Sequence, residues 1–316
     1  MPNFLETVSA AGDVITQSFL EFQAGSPPSD IFQVPSEQPC LDLRPSNPSM
    51  MMNNNHRSLW DHDVALLLSA PPLHLSKSGF GHGRSDPQMT VPEEFDCRGE
   101  WPHCISPVMN QGKTCGSCWA ISSVAALADR TCIHHNDSGL NVTLLSPQFL
   151  VSCFAQQGCE GGSIGPTWLE LQSRGTATES CVPYTGVDDH QCPAECQDGT
   201  PIHLQRAEVV YTRWAGWDIN VTVRMIQEDI LLHGPVQAEM WLFYDFYLHT
   251  TGVYHADHSS PLIGGQSVRI LGWGVEAATG EPYWYVANSW GQKWAQDGIG
   301  KIRRGTNECG IEDAVV

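Results

Sequence analysis

The stretch from Gln111 to Trp119 reads Q-G-K-T-C-G-S-C-W, and the interpretation of the remaining residues depends on it. Its second cysteine, Cys118, opens the run Cys118 to Arg130, whose apolar residues fall on one face of a helix. A cysteine at a helix N-terminus experiences the positive end of the helix dipole, which favours the thiolate that attacks carbonyl carbon. We therefore predict that Cys118 is a nucleophile; a redox or zinc pair with Cys115 and an ordinary disulfide are the alternatives.

Length and charge restrict the class of protein. The chain has 316 residues, of which 41% are hydrophobic, enough for one large domain or two small ones with a buried core. Its formal net charge of −19 argues against nucleic acid or an anionic membrane as a partner.

The cysteine content points to an oxidising compartment. All of the twelve cysteines except Cys40 lie between Cys97 and Cys309, and so many would be unusual in a reducing cytosol. Three glycosylation sequons agree with the secretory route; their asparagines are Asn136, Asn141 and Asn220.

The N-terminus does not itself read as a secretory signal. Glu6 and Asp13 interrupt every apolar window there, and no basic region precedes them. The apolar run Val64 to Leu68 is too short to span a membrane. We expect a lysosomal, vacuolar or secreted protein, with a cytosolic protein carrying reduced cysteines as the alternative.

Composition divides the chain near residue 90. Residues 1–90 are rich in Pro, Ser and Asn, which predicts a poorly ordered leader with one helix, Phe4 to Phe22. Residues 91–316 begin with helical patterns and end with strand patterns, which predicts two lobes in an α+β arrangement. The predicted helices are Cys118–Arg130, Ser146–Val151, Pro166–Arg174 and Thr222–His233, and the predicted strands are Val236–Leu242, Ser267–Val275, Pro282–Ala287 and Ile299–Arg303.

Several segments resemble the papain family of cysteine peptidases, and its cathepsin B-like group in particular. They are V-P-E-E-F-D-C-R from Val91, the Gln111–Trp119 stretch, G-G-Q-S-V-R-I-L-G-W-G from Gly264 and V-A-N-S-W-G from Val286. The resemblance implies a papain-like fold, with a helical left lobe, a β-barrel-like right lobe and an active-site cleft between them. It also implies a monomeric thiol endopeptidase, made as a zymogen, that uses neither cofactor nor metal.

The resemblance assigns roles to four positions. Cys118 stands at the nucleophile, Gln111 in the oxyanion hole and Asn288 at the residue that orients the base. Relative to the family pattern, the loop before Cys118 carries one extra residue, Lys113 or Thr114. The position of the family's catalytic histidine is occupied by Gln266.

The glutamine at position 266 changes the functional expectation. An amide is neutral and cannot take up a proton near pH 7, whereas general base catalysis contributes about 10²–10⁴-fold to the rate. We therefore predict an inactive or severely impaired enzyme that binds peptides, protein inhibitors or its own leader. The alternative is an active endopeptidase that uses another base, for which His255 and His258 are the candidates.

Substrate contacts follow from the same resemblance. Gly161 and Gly162 belong to a loop that lets a peptide backbone approach, and Gly265 and Trp290 complete the expected binding residues. Ala314 replaces a glutamate that favours a basic side chain at P2, the second residue before the scissile bond, so an apolar P2 preference is expected. Only ten residues separate Cys181 from Cys192. The occluding loop of cathepsin B is therefore absent, and endopeptidase geometry without dipeptide trimming is expected.

The family's disulfide frame can also be carried over. It implies four bridges: Cys104–Cys132, Cys115–Cys159, Cys153–Cys192 and Cys181–Cys196. Cys40, Cys97 and Cys309 receive no partner. Zinc binding by Cys192 and Cys196, which are four residues apart, is the alternative to their two disulfides.

Overall fold

The computed structural model describes residues 89–135, 141–154, 158–188, 190–211, 218–257 and 259–316. These residues form two lobes with separate hydrophobic cores. The predicted helix Phe4 to Phe22, together with Cys40, Asn136 and His258, lies outside the described residues.

The first lobe, called the helical lobe below, is built on three helices. After strand β1 (Phe95–Asp96) and the short helix α1 (Cys97–Glu100), the chain forms α2 (Cys118–His134), α3 (Pro147–Cys153) and α4 (Ile164–Ser173). A 3-10 turn, Gly158–Glu160, lies between α3 and α4. Eleven residues of α2 are buried, because this helix runs through the middle of the molecule and packs on both α3 and α4.

Local signals explain where these helices begin and end. The Ser146 hydroxyl accepts the Phe149 N–H at 3.0 Å and Pro147 occupies the first helical position, as the sequence predicts for α3. Gly175 follows α4 with a positive φ of 85°, a conformation that glycine adopts without strain.

The second lobe, called the strand lobe below, carries a six-stranded sheet. Helix α5 (Ile219–His233) precedes it, and its strands are β1 together with β2 (Val236–Phe243), β3 (Val253–Tyr254), β4 (Leu262–Glu276), β5 (Glu281–Ala287) and β6 (Ile299–Arg303). A short helix, α6 (Tyr244–Leu248), follows β2, and a 3-10 turn, Glu308–Gly310, follows β6. The strand order is β1-β4-β5-β6-β3, with β2 also paired to β4, and every pairing except β3–β6 is antiparallel.

Two elements begin at least three residues earlier than the sequence predicts, α5 by three residues and β4 by five. Helix α5 starts at Ile219 because the Asp218 carboxylate caps it, accepting the N–H groups of Asn220 and Val221. Strand β4 starts at Leu262 because its Gly-rich beginning pairs with β2, with Gly265 opposite Trp241. That pairing is a tertiary contact, so local strand propensity does not reveal it.

Buried polar contacts join the two lobes. Arg269 of β4 donates to the carboxylate of Asp129 in α2, and both side chains are almost fully buried. The Gln237 side chain of β2 donates to the Trp119 carbonyl at 3.0 Å and accepts from the Trp168 indole at 2.6 Å. The predicted two-lobed α+β arrangement is therefore the observed one, and the N-terminus of α2 lies where the lobes meet.

The structure contains the four disulfides that the resemblance implies: Cys104–Cys132, Cys115–Cys159, Cys153–Cys192 and Cys181–Cys196. The zinc interpretation of Cys192 and Cys196 is wrong, because each sulfur is bonded to another cysteine. Cys97 and Cys309 are buried outside these bridges. In the described part of the chain, no helix is both long enough and apolar enough to cross a membrane.

Candidate active site

Cys118 lies at the first position of α2, as predicted, at the junction of the two lobes. Its side chain is only 3% exposed, and its sulfur accepts the backbone N–H of Ser267, on β4, at 3.5 Å. The strand lobe therefore contacts the nucleophile position directly through the residue that follows Gln266.

The thiol of Cys118 is not activated in this structure. Burial, its largest influence, raises the pKa of Cys118 to about 11, and the negative charge of Glu239 acts in the same direction. Hydrogen bonds from Ser267 and from the Trp119 backbone lower the pKa, but by less. The helix position predicts a lowered pKa; burial outweighs it, so the neutral thiol predominates at neutral pH.

Gln266 immediately precedes the residue that contacts this thiol and is itself buried, with 2% of its surface exposed. Its amide nitrogen donates to Asn288 Oδ1 at 2.6 Å and to Ser289 Oγ at 3.2 Å. Both amide hydrogens are thus directed at the Asn288–Ser289 segment. The structure brings Gln266 and Asn288 together, as the motifs predict.

The hydrogen-bond chain continues into the helical lobe. The Ser289 hydroxyl donates to Gln111 Oε1 at 2.5 Å, and Gln111 Nε2 donates to the Cys115 carbonyl at 3.2 Å. Gln111 is therefore buried beside the Cys115–Cys118 loop, where its amide is engaged with that carbonyl. The role of Gln111 as a hydrogen-bond donor to an oxyanion remains a prediction.

The hydroxyl of Tyr184 contacts the same loop, which the motifs do not predict. Its hydroxyl lies 2.5 Å from Ser117 Oγ, at the cap of α2, and donates to the Gln111 carbonyl at 2.8 Å. The segment around it is held down on α3, because Gln148 Oε1 accepts the N–H groups of Thr185 and Gly186. The short connection between Cys181 and Cys192 thus braces the nucleophile loop.

Gly162 packs against Trp119, and Gly161 precedes it in the chain. Gly161 has a φ of 113°, which favours glycine, and a Cβ at Gly162 would stand 2.3 Å from the Trp119 ring. The indole of Trp119 donates to the Gly158 carbonyl at 3.3 Å, so moving the ring away would break this hydrogen bond. Close packing against the residue after the nucleophile therefore requires glycine at position 162.

Substitution of Gly162 by alanine is expected to lower the free energy of unfolding by about 1–3 kcal/mol, the usual cost of overpacking a buried contact. Urea denaturation with the disulfides intact measures it. Gly99→Ala is the matched control, because no atom lies within 4 Å of a Cβ built there. Equal effects of the two substitutions would contradict the role given to the Trp119 contact.

Ala314 lies beside Glu239, an acidic residue of β2 that the motifs do not predict. Ala314 is buried, and its carbonyl accepts the N–H of Glu239, on β2, at 3.1 Å. Gly265 lies on β4 opposite Trp241, and Trp290 packs edge-on against Phe246, Tyr247 and Trp294. A charged residue within the apolar strand V-Q-A-E-M-W-L-F was the signal that could have identified Glu239.

Of the two histidines considered as a replacement base, the described one, His255, is not placed at Cys118. His255 Nε2 lies 2.9 Å from Glu281 Oε2 and 3.4 Å from Arg303, at the end of β4 far from Gln266. His258 lies outside the described residues. The polar atoms contacting Gln266 instead come from Asn288 and Ser289; Ser289 could have been found as the neighbour of a predicted site residue.

The chain is similar to proteins of one family. The family model described as "Papain family cysteine protease" matches residues 91–316. "Cathepsin B-like CP3" of Giardia intestinalis is 38% identical over 232 residues, which cover 72% of this chain and 74% of that protein. "Cathepsin B-like cysteine proteinase 4" of Caenorhabditis elegans is 38% identical over 256 residues, covering 72% and 75%.

A solved structure agrees with the sequence relatives. The structure of "proCathepsin B S9 from Trypanosoma congolense" matches this chain with a TM-score of 0.66 and 30% identity. The match covers 78% of this chain and 81% of the other chain. These findings confirm the predicted papain-like fold and the similarity to cathepsin B-like proteins.

Proposed function

This chain belongs to the papain family of cysteine proteases, and we propose that it is a cathepsin B-like homologue whose cleft binds peptides without hydrolysing them efficiently. The observation that carries the proposal is the hydrogen bond from Gln266 Nε2 to Asn288 Oδ1, at the place of the family base. An amide there cannot accept the proton of the Cys118 thiol.

Two defects act together at this site. Without a base, the thiol proton has no acceptor, and with a pKa raised to about 11 the thiol does not ionise by itself at neutral pH. Loss of one member of a nucleophile–base unit can cost nearly as much as loss of the whole unit. We therefore infer that hydrolysis is absent or severely impaired.

The remaining features of the cleft support peptide binding. Gly161, whose φ of 113° favours glycine, belongs to the loop that the family resemblance places along a peptide backbone, and the segment 182–188 is held against α3 rather than standing free. We propose an open cleft without an occluding loop, which would accept the middle of a chain rather than its C-terminal dipeptide. The ligands we propose are peptides, protein inhibitors or residues 1–90 acting as a leader.

A paired assay of binding and turnover tests this function. The unaltered protein should bind a capped peptide in a titration, yet release no fluorophore from a dipeptidyl substrate above the level of Cys118→Ala. Turnover that Cys118→Ala abolishes would refute inactivity, and failure to bind any peptide would refute the binding role.

Alkylation of Cys118 is expected to accelerate about tenfold for each pH unit through neutral pH, and to level off only near the pKa of about 11. The rate follows the thiolate fraction, which is small throughout that range. Iodoacetamide labelling of the Cys118 peptide, quantified by mass spectrometry, measures the profile, and the buried Cys97 and Cys309 serve as internal references. A rate already flat across neutral pH would show an activated thiolate.

A second candidate is an active lysosomal or secreted thiol endopeptidase that uses another base. The 38% identity to a protein named a cysteine proteinase favours it. The placement of His255 beside Glu281 disfavours it. The same turnover assay decides between the two candidates, because only the second predicts hydrolysis that depends on Cys118.

We further propose a secretory or lysosomal location and a monomer. Four disulfides support an oxidising compartment, and the sequon residues Asn141 and Asn220 are exposed where glycans would attach. The similarity to the Trypanosoma congolense structure, which is that of a procathepsin B, supports a leader in residues 1–90.

A further inference from the structure

Two histidines from different lobes lie side by side at the ends of their helices. His134 is the last residue of α2, in the helical lobe, and His233 is the last residue of α5, in the strand lobe. His134 Nε2 lies 3.3 Å from His233 Nδ1, and the ring centroids are 5.2 Å apart. His134 is exposed and His233 partly exposed, so a solute ion can reach the pair.

The spacing of the two imidazoles is that of two ligands on one tetrahedral metal ion. Zn–N bonds of about 2.0–2.1 Å place two ligand nitrogens about 3.3–3.4 Å apart and, when each ring points at the metal, the ring centres about 5.2 Å apart. A hydrogen bond with the two rings in line would put the centres farther apart, at about 5.6 Å for the same nitrogen distance. The observed distances therefore match the inclined arrangement of two ligands.

A buried ion pair fixes the two helix ends relative to each other. One turn earlier in each helix, Arg130 donates to the carboxylate of Asp229 at 3.2 Å, and Asp229 is fully buried. Arg130 also donates to the carbonyl of Gly234, the residue after His233, at 3.3 Å. A Cβ at Gly234 would stand 2.3 Å from Ile133, so the helix ends are in close contact. Because rigid elements carry both imidazoles, the pair is already arranged for a ligand.

The electrostatic surroundings suit a bound cation. Partial burial lowers the pKa of His134, and the charge of Arg130 acts in the same direction, so the ring is neutral at neutral pH and keeps the lone pair that a metal requires. The carboxylates of Glu208 and Asp229 oppose that shift, which shows negative charge close to the pair. The C-terminal ends of both helices add partial negative charge.

We propose that His134 and His233 bind one Zn²⁺ ion, which ties the helical lobe to the strand lobe. Among the described residues, no group of three His, Cys, Asp or Glu side chains forms there, so water completes the coordination. The family resemblance implies a peptidase without a metal, and this ion has a structural role only. The 17-residue helix α2, about 25 Å long at 1.5 Å per residue, separates it from Cys118.

A zinc titration of the untagged protein tests the site, with a chromophoric zinc indicator as competitor at neutral pH. His134→Ala and His233→Ala should each weaken Zn²⁺ binding by at least about tenfold, because loss of an outer-sphere partner alone costs about 10–100-fold. His203→Ala, which removes an exposed histidine elsewhere, is the matched control and should leave the affinity unchanged. Since both ligands hold one ion, the double variant His134→Ala with His233→Ala should bind little worse than either single variant.

A second measurement tests the tie between the lobes. Zn²⁺ should raise the Tm of the unaltered protein but not that of His233→Ala, because only the folded pair binds the ion. An equal rise in both proteins, or none in either, would overturn the structural role.

Two results of the titration would overturn the site itself: affinities that do not differ between the unaltered protein and the single variants, and losses that add in the double variant. If a variant does not fold, the unaltered protein still decides. Zn²⁺ should protect His134 and His233, but not His203, from carbethoxylation by diethylpyrocarbonate, as mapped on peptides by mass spectrometry. Absence of that protection refutes zinc binding by the pair and leaves the proposed peptide-binding function standing.

Discussion

Replacement of Gln266 by histidine is expected to raise the rate of peptide hydrolysis by about 10²–10⁴-fold, the usual contribution of a general base. Gln266 already donates to Asn288 Oδ1, and an imidazole N–H can make the same bond. Its other nitrogen would then face the thiol, accept the proton and form the cation that stabilises the thiolate. The substitution supplies the missing group at a position whose orienting partner is in place.

The measurement is kcat/KM on a dipeptidyl fluorogenic substrate across a range of pH. Gln266→Asn is the matched control, because it retains an amide and should gain nothing. Gln266→His combined with Cys118→Ala should return to background. The histidine variant should also alkylate rapidly at neutral pH, since an imidazolium lowers the pKa of the thiol.

Absence of any gain in turnover would contradict the prediction. If alkylation became fast while turnover did not, the defect would lie with the oxyanion donors, since Gln111 Nε2 is bonded to the Cys115 carbonyl. The extra residue in the loop between Gln111 and Cys115 would then be the next element to remove. The two readouts therefore separate the base from the loop.

The sequence predicted the elements whose signals are local. The cap of Ser146, the proline after it and the glycine after α4 each act within a few residues, so the ends of these helices were readable. The first residues of β4 were missed, since a glycine-rich run acquires its strand conformation only by pairing with β2.

The residues of the candidate site were likewise found where their signals are local and missed where their contacts are long-range. Cys118, Gln266 and Asn288 were found because they lie within motifs, and the structure places Gln266 against Asn288 as expected. Tyr184 and Glu239 were missed, because their contacts join residues far apart in sequence: Tyr184 reaches Ser117 and Glu239 reaches Ile164. Motifs record positions along the chain, whereas the polarity of a cleft depends on which strand faces it.

Substitution of Arg269 by methionine is expected to lower the free energy of unfolding by about 3–5 kcal/mol, because it leaves a buried carboxylate without its cation. Arg269 donates to Asp129 and, at 2.8 Å, to the Ser106 carbonyl, while Asp129 accepts the Ser106 N–H at 2.7 Å. Asp129 is fully buried and Arg269 is 3% exposed, so water cannot replace the lost partner. Urea denaturation with the disulfides intact measures the change.

Two controls identify the cause of that loss. Arg174→Met breaks the exposed pair with Glu170 and should change stability by no more than about 1 kcal/mol. The double variant Arg269→Met with Asp129→Leu should be less destabilised than Arg269→Met alone, since it removes the orphaned charge as well. A loss as large in the double variant would assign the effect to packing rather than to charge.

The same ion pair fixes the geometry on which the histidine variant depends. Asp129 belongs to the helix that begins with Cys118, and Arg269 follows Gln266 by three residues on β4. Their bond therefore joins the element carrying the thiol to the element carrying the base position. In the Gln266→His background, Arg269→Met should remove most of the gained kcat at temperatures where the protein remains folded, because misplacement by about 1 Å can cost 10²-fold. Unchanged kcat in a folded double variant would show that other contacts between the lobes, such as those of Gln237, hold the two elements in register.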